Sequence, residues 1–320
     1  MLFCSGGCYL MKVKDGRLRL DNELGLFKNI ENEDYHEIDG VSSSKLGLLL
    51  DCPAKYNNIQ KTKATLDFGT AFHMYFLERE EFKTKYGVLH EKNGVTKAAK
   101  DEKKLLIEQG YDSFVKKAEL NAFEKMTQTI LSDHISDALF NADDEHYIEH
   151  SGFWKFESVL CKCRPDYLLI KNNQAFVIDI KTTTDCSPEK IARSIADWSY
   201  HRQAAFYVDG IKEITGIDEV HALHFFIEKP MDGAALWNQQ QMDANALQCL
   251  PVTIPESDLE QGRREYKQAI SNYQKFMNQN VMPGYKKMAQ IKFAEQLDFV
   301  EIGLPHFKKD EINRLENAHD

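Results

Sequence analysis

The segment that most constrains the fold is a short apolar run at residues 174–182, with the sequence QAFVIDIKT. Its β-branched and aromatic residues predict a strand. Because side chains alternate between the two faces of a strand, Asp179 and Lys181 share one face, while Ile178 and Ile180 point into the core from the other. An apolar strand therefore delivers a carboxylate and an ammonium group side by side.

A second carboxylate is expected beside this strand. Asp166 lies in the preceding predicted strand, residues 157–170. A turn at 171–173 brings it next to Asp179. Two ionised carboxylates repel each other, and a divalent cation relieves that repulsion. Hard oxygen ligands favour Mg²⁺, with Mn²⁺ as a substitute. Such an ion lowers the pKa of a bound water, and Lys181 adds positive charge where negative charge develops.

The same residues have a simpler explanation. Asp166 and Asp179 can be turn or strand-end residues, with Lys181 as a solvated charge at the sheet edge, and an aspartate two residues before a lysine is common by chance. A near-continuous apolar strand that ends in such a pair is not economically explained by packing. The sequence therefore favours a metal-dependent site.

A histidine offers a third ligand. His73 lies in a predicted amphipathic helix, residues 65–80, one turn after Gly69 and on the same face. Glycine allows another backbone or a ligand to approach closely. The alternative is a satisfied core histidine on an aromatic helix. As a ligand, the imidazole would complete the coordination begun by the two aspartates.

A polar stripe follows on the predicted helix 188–209. Gln203 and Tyr207 lie four residues apart, with Tyr200 on the same face. Such a stripe is explained either by packing or by contact of an amide and a phenol with DNA phosphate or a metal-bound water.

Four further residues are candidate phosphate contacts. Ser42 and Ser44 begin the predicted helix 41–50, where free amides favour anions, although ordinary N-capping explains them as well. Lys162 and Arg164 share the face of the first aspartate, where they either contact backbone phosphate or offset acidic charge.

Composition sets limits on the class of protein. The formal net charge is −10, which counts against a nucleic-acid partner, although the local field of a cleft and bound metal ions matter more than the total. No apolar run approaches the ~20 residues of a membrane span, and residues 1–10 do not resemble a signal peptide, so we expect a cytoplasmic protein with no membrane partner. Seven cysteines without CxxC pairs indicate reduced, mostly buried thiols.

The order of predicted elements favours the α/β class, with a mixed central sheet flanked by helices. Residues 1–40 form an irregular or β-rich lead-in, residues 41–310 one domain, and residues 311–320 a tail. A hairpin or flap is expected near residues 237–241. The remaining predicted helices are 97–108, 113–139 and about 256–279, and the predicted strands are 146–154, 157–170, 174–182 and 219–228.

The motifs resemble a known superfamily. In order they are G-x-x-x-H ending at His73, Asp166, D-I-K at 179–181, and Q-x-x-x-Y at 203–207. They look like the four motifs of the RecB-like branch of the PD-(D/E)XK nucleases, whose core is restriction-endonuclease-like. Within that branch the chain is similar to RecE-type (exonuclease VIII-like) phage exodeoxyribonucleases. The supporting motifs are SSSKL at 42–46, CPAKY at 52–56, FGTAFH at 68–73, CRPD at 163–166, MPGY at 282–285 and LP at 304–305.

The resemblance implies roles for the candidate residues. It implies that Lys181 positions or activates the attacking water and that Gln203 and Tyr207 support the site. The implied metal ligands are His73, Asp166, Asp179 and the backbone carbonyl of Ile180.

The resemblance also implies an activity and partners. It implies Mg²⁺-dependent 5′→3′ digestion of double-stranded DNA from its ends, leaving single-stranded 3′ overhangs for phage-type recombination. A homo-oligomeric ring and a RecT-like single-strand annealing protein are implied as partners. Some RecB-like relatives hold an iron–sulfur cluster through one early and three late cysteines. Cys52 matches the early one, but only Cys249 follows Gln203, so no cluster is expected.

Two other functions remain open at this point. One is the same chemistry in a different role, as an endonuclease or a CRISPR-adaptation-like nuclease. The other is a non-catalytic DNA-binding protein on this fold.

Overall fold

The computed structural model describes residues 10–12, 18–20, 24–28, 30–56, 68–90, 96–230 and 247–293. Within these ranges the strands are β1 (Leu10–Lys12), β2 (Leu18–Leu20), β3 (Gly25–Phe27), β4 (Val41–Ser42), β5 (Tyr86–Leu89), β6 (Ser113–Lys116), β7 (Glu145–Ile148), β8 (Ser151–Phe156), β9 (Val159–Cys163), β10 (Tyr167–Lys171), β11 (Gln174–Thr183), β12 (Glu219–Glu228) and β13 (Cys249–Thr253). The helices are α1 (Asn32–Glu37), α2 (Ser43–Asp51), α3 (Phe68–Leu77), α4 (Arg79–Lys85), α5 (Lys97–Glu108), α6 (Lys117–Leu131), α7 (His134–Phe140), α8 (Pro188–Trp198), α9 (Tyr200–Thr215), α10 (Glu256–Asn278) and α11 (Tyr285–Phe293).

A five-stranded mixed sheet forms the centre, in the order β13-β12-β11-β10-β7. Strands β11 and β12 are parallel and the other neighbours are antiparallel. A four-stranded sheet, β3-β8-β9-β4, lies apart from it, and short two-stranded pairs are formed by β1 with β2 and by β5 with β6. This arrangement confirms the predicted α/β class with a mixed sheet and flanking helices.

The two faces of β11 are covered by different helices. Ala175 and Val177 pack with residues of α9 and α10. Ile178 and Ile180 pack on the opposite side with α3 and α6, as the alternation of the sequence predicts. The regularly spaced phenylalanines of α3 belong to this second cluster, and Phe72 is fully buried. The strand is therefore fixed between two apolar layers.

The hairpin that joins β10 to β11 has the predicted position. Lys171 pairs with Gln174, and the two residues between them, Asn172 and Asn173, have φ values of 53° and 61°. Asparagine tolerates this left-handed conformation, and a two-residue turn of this kind suits the twist of a hairpin.

The three-stranded meander predicted for residues 146–182 is wrong. The segment forms five strands, β7 to β11, which belong to two sheets. Glu149 and Glu157 adopt left-handed φ values of 50° and 54°, and each ends a strand. Pro165 lacks an amide donor and separates β9 from β10. These breaks redirect the chain from one sheet to the other.

Three predicted helices also differ from the structure. The segment 113–139 begins with strand β6, which pairs in parallel with β5, a partner that local periodicity does not reveal. The segment 188–209 is divided at Ser199, whose φ is 54°. The segment 65–80 is divided between α3 and α4, and its first three residues lie outside the described ranges. The predictions of α2, α5, α10 and strand β12 agree with the structure.

Several predicted features lie outside the described residues. They are the hairpin or flap near 237–241, the Leu304-Pro305 motif and the tail 311–320. Among the described cysteines, all five carry free thiols, and four of them are buried. No helix in the described ranges is long and apolar enough to cross a bilayer.

Candidate active site

The β10–β11 hairpin brings the first aspartate to the centre of the site. Asp166 immediately precedes β10, and Tyr167 pairs with Ile178 across the ladder. The Ile180 amide donates to Asp166 Oδ2 over 2.6 Å. A charge-assisted bond of this length fixes the carboxylate against the backbone of the D-x-K strand.

Helix α3 brings the histidine to the same point. A Cβ atom at Gly69 would lie 3.3 Å from Thr182 Oγ1, so glycine permits the close approach of α3 to the end of β11. His73 Nδ1 then lies 3.6 Å from Asp166 Oδ2. The predicted convergence of His73 with Asp166 is therefore present.

This pair has mutually shifted pKa values. Burial acts to lower the pKa of His73, but the charge of Asp166 outweighs it and raises that pKa to about 9. Burial acts to raise the pKa of Asp166, but the positive charges of His73 and Lys181 outweigh it and lower that pKa. The pair is thus an imidazolium next to a carboxylate at neutral pH when no metal is bound.

Glu149 is a member of the site that sequence reasoning missed. It sits in the turn between β7 and β8, and its amide donates to the Asp166 carbonyl over 3.1 Å. Ligand atoms of His73, Glu149 and Asp166 all lie within 4.8 Å of one another. Burial, and then the charge of Asp166, raise the pKa of Glu149 to about 8. No spacing in the sequence marks this glutamate; only its place in a turn beside the aspartate strand does.

The second aspartate pairs with the lysine. Lys181 Nζ lies 2.5 Å from Asp179 Oδ2, and Gln203 Nε2 donates to Asp179 Oδ1 over 3.4 Å. Asp179 falls outside the set of ligand atoms that lie within 4.8 Å of one another. The Lys181 ammonium therefore supplies positive charge directly beside this carboxylate.

Helix α9 covers the Asp179 face of the sheet. The Lys181 ammonium lies 4.7 Å from the centre of the Tyr200 ring, a cation–π distance. Burial acts to lower the pKa of Lys181, but the charges of Asp179 and Asp166 outweigh it and raise that pKa. Tyr207 is buried one turn beyond Gln203, and burial raises its pKa. The predicted stripe therefore lies against the site, with Tyr200 and Gln203 in direct contact with it.

The two basic residues of β9 and its end have internal roles. Lys162 is 1% exposed, and its ammonium donates to the carbonyls of Tyr35 and Ile38 over 2.5 and 2.7 Å. Burial lowers its pKa to about 7. The expectation that Lys162 contacts phosphate is therefore wrong. Its ammonium is buried and donates to two backbone carbonyls, so it is not accessible to DNA.

Arg164 is partly buried and also anchors the lead-in. Its guanidinium donates to Ser151 Oγ over 2.6 Å and to the Ile30 carbonyl over 2.7 Å. It also lies 4.3 Å from the centre of the Tyr35 ring. These contacts engage the guanidinium inside the protein, and contact of Arg164 with phosphate stays a prediction.

The side chains of the two serines at the start of α2 form a hydrogen bond with each other. Ser42 Oγ lies 3.1 Å from Ser44 Oγ, and Ser42 occupies the N-cap position without a side-chain capping bond. Ser42 is buried where β4 pairs with β9. Phosphate binding by these serines stays a prediction.

The donor set suits a hard divalent cation. Carboxylate oxygens are ligands of hard ions such as Mg²⁺ and Mn²⁺, and the imidazole nitrogen is a common ligand of transition-metal ions. The crowded acids gain from any divalent cation. The adjacent lysine and glutamine add a positive charge and an amide beside the ion position. The arrangement is that of a metal-assisted hydrolytic site.

The chain and its fold are similar to known proteins. The family described as PDDEXK-like domain of unknown function (DUF3799) matches residues 42–293. The fold is similar to that of a candidate exonuclease from Eubacterium rectale, with a TM-score of 0.51, 13% identity, and coverage of 87% of this chain and 97% of that one. A phage-related exonuclease from Haemophilus somnus aligns with a TM-score of only 0.31, 13% identity, and coverage of 65% of this chain and 94% of that one. A comparison with curated proteins finds no match.

The shifted pKa of His73 predicts a pH-dependent stability of the metal-free protein. A pKa raised from 6.5 to about 9 means that the folded state holds the proton more tightly than the unfolded state. This stabilisation is fully present below pH 6.5 and is lost as the pH rises through 9. In the presence of a chelator, we expect the melting temperature of the parent to fall over this window more than that of His73→Gln.

The comparison with His73→Gln cancels a contribution of Lys162 that changes stability with pH in the opposite direction. The lowered pKa of Lys162 makes stability rise with pH above about 7, and this effect is common to both proteins. Added Mg²⁺ should raise the melting temperature of the parent most at the upper end of the window, because a metal-bound imidazole must be deprotonated. Parallel melting curves for the two proteins across this window would contradict the His73–Asp166 ion pair.

Proposed function

The chain belongs to the family of PDDEXK-like domains, and from this premise we propose that it is a Mg²⁺-dependent 5′→3′ exonuclease of double-stranded DNA. The family match and the fold support a nuclease of the PD-(D/E)XK superfamily. The observation that carries the proposal is the meeting of His73, Glu149 and Asp166 beside the Asp179–Lys181 pair.

The residues of this cluster fit a divalent metal ion. His73, Glu149 and Asp166 would hold it, with Asp179 and the Ile180 carbonyl as the further ligands that the resemblance implies. When bound, the ion lowers the pKa of a water and stabilises negative charge on a phosphoryl oxygen. The raised pKa of Glu149 supports this assignment, because a buried carboxylate near another acid gains from a cation.

Lys181 is the residue proposed to act on the attacking water. Its raised pKa keeps the ammonium charged, and contact with Tyr200 holds it beside the carboxylates. The water oxygen attacks the phosphorus, the bond to the 3′ oxygen breaks, and the proton lost by the water is balanced by one gained at that oxygen. The products are a 3′-hydroxyl and a 5′-phosphate. Gln203 orients Asp179 through its amide, and the Tyr207 side chain is hydrogen-bonded to Gln203.

The finer assignment rests on the motifs that resemble RecE-type enzymes. These are the opening serines, the CPAKY and CRPD segments, and the order of the four catalytic motifs. They support digestion from DNA ends, a ring-shaped homo-oligomer and a RecT-like annealing partner as parts of the proposal. The net charge of −10 indicates that attraction to DNA is local to the site and its metal ions.

Digestion of end-labelled DNA tests the polarity and the need for ends. With Mg²⁺, linear duplex should release nucleotides from the 5′-labelled ends first, while closed circular duplex stays intact and a chelator stops the reaction. Release from 3′ ends alone would defeat the RecE-type assignment but keep a nuclease. Cutting of the circle would favour an endonuclease.

Replacement of Lys181 distinguishes an enzyme from a DNA-binding protein. We expect Lys181→Ala to lower kcat by about 10²–10³-fold, the usual effect of removing one group that stabilises transition-state charge. The matched control is Lys171→Ala on the same hairpin, whose exposed pair with Asp144 is remote from the ligand cluster. Equal Mg²⁺-dependent digestion by parent and Lys181→Ala would favour the non-catalytic alternative.

Replacement of Glu149 tests the ligand that the structure adds. Glu149→Gln keeps the size of the side chain but loses its charge, so the Mg²⁺ concentration for half-maximal activity should rise by about tenfold or more. Glu157→Gln is the control, because Glu157 has the same left-handed backbone in the next turn and bonds instead to Gln274. An unchanged Mg²⁺ requirement in Glu149→Gln would remove this residue from the ligand set.

A further inference from the structure

His224 is a buried histidine that the proposed chemistry does not use. It lies within the apolar strand β12 and is only 2% exposed. Neither of its ring nitrogens has a hydrogen-bond partner among the described residues. A buried polar group without a partner lowers stability, and such a group in a folded protein calls for an explanation.

The position of His224 on the sheet points to the active site. Its register partner on the parallel strand β11 is Asp179. Neighbouring strands lie about 4.8 Å apart, and directly paired residues project from the same face of a sheet. His224 therefore shares the face of the second aspartate, one strand away.

Aromatic rings hold the imidazole in place. The Tyr200 ring stacks at 5.8 Å with an interplanar angle of 28°, and the Phe226 ring at 6.3 Å and 24°. The charged groups that act on it are Asp179, Lys181 and Asp166, and burial lowers its pKa. The ring is therefore neutral, with one N–H donor and one acceptor nitrogen.

The Asp179 carboxylate can accept a further hydrogen bond. Its Oδ2 atom is buried and accepts no hydrogen bond from the described residues. The Lys181 ammonium lies 2.5 Å from Oδ2, and Gln203 Nε2 donates to Oδ1, but a carboxylate offers about four acceptor positions, so the group has room for another donor. A histidine N–H without an acceptor and a carboxylate that can accept a further hydrogen bond thus lie on adjacent strands and project from the same face of the sheet.

We infer that His224 is a positioning residue for Asp179: with a metal ion bound, the imidazole N–H donates to the carboxylate and fixes its orientation. This inference rests on the proposed function, since it assigns a metal to that carboxylate. Carboxylates that bind metals are themselves hydrogen-bonded, and loss of such a partner costs about 10–100-fold in affinity or activity. Active-site hydrogen bonds that are open without ligand commonly close when the ligand binds.

Replacement of His224 should affect stability and metal binding in opposite directions. A phenylalanine at position 224 would keep the stacking with Tyr200 and Phe226 and remove two unsatisfied nitrogens. His224→Phe should therefore melt at the same temperature as the parent or higher, while its affinity for Mn²⁺ falls by about tenfold or more. A purely structural histidine would change the melting temperature alone.

The experiment is calorimetric titration of the full chain with Mn²⁺ in the absence of DNA, together with melting curves and initial digestion rates. His224→Gln supplies an amide N–H in place of the imidazole and should keep most of the affinity. His221→Phe is the matched control, because His221 lies on the same strand but projects from the opposite face and is exposed. Its Mn²⁺ affinity should equal that of the parent.

The outcomes are distinct. Parent-like Mn²⁺ affinity in His224→Phe would overturn the positioning role, as would equal losses in the Phe and Gln variants. A parent that binds Mn²⁺ but leaves DNA intact would overturn the proposed function, while the order of affinities among the variants would still decide the role of His224. A parent that binds no Mn²⁺ would overturn both.

Discussion

The structure depends on the crowding of acidic groups in a space with little water. Glu149 and Asp166 lie there within 4.8 Å of each other and of His73, and the Asp179–Lys181 pair lies beside them. Among the described residues, His73 pairs with Asp166 and Lys181 with Asp179. Like charges in a medium of low dielectric repel strongly, and the pKa shifts of these groups show how the protein offsets that repulsion. The proton on His73 and the ammonium of Lys181 supply part of the compensating positive charge. A bound divalent ion would supply the rest.

Those parts of the fold and site that follow from local chemistry were predictable. The alternation of residues 174–182 placed Asp179 and Lys181 on one face and isoleucines on the other, because the period of a strand is fixed by its backbone. The Asn172-Asn173 turn set the pairing of β10 with β11, and thereby the position of Asp166. Gly69 predicted a close approach, which is made to Thr182.

Other features depend on the partner that each segment meets in three dimensions. Strand β6 carries a pattern compatible with helix, and only pairing with β5 decides its conformation. Lysine is usually a surface residue, yet Lys162 is buried and donates to carbonyls in and just after helix α1, which is distant in the sequence. Glu149 joins the site because a left-handed turn carries it there. The roles of such residues cannot be predicted from their spacing in the sequence, because they depend on partners that are distant along the chain.

The location of Glu149 has a mechanical consequence. Strand β7, which ends one residue before it, is one of the two outer strands of the central sheet, and within the described part of the chain it pairs only with β10. Edge strands open more readily than central ones because fewer hydrogen bonds hold them. An ion shared by Glu149 and His73 would fasten this margin of the sheet to helix α3, so that occupancy of the site and the rigidity of the sheet's rim rise and fall together.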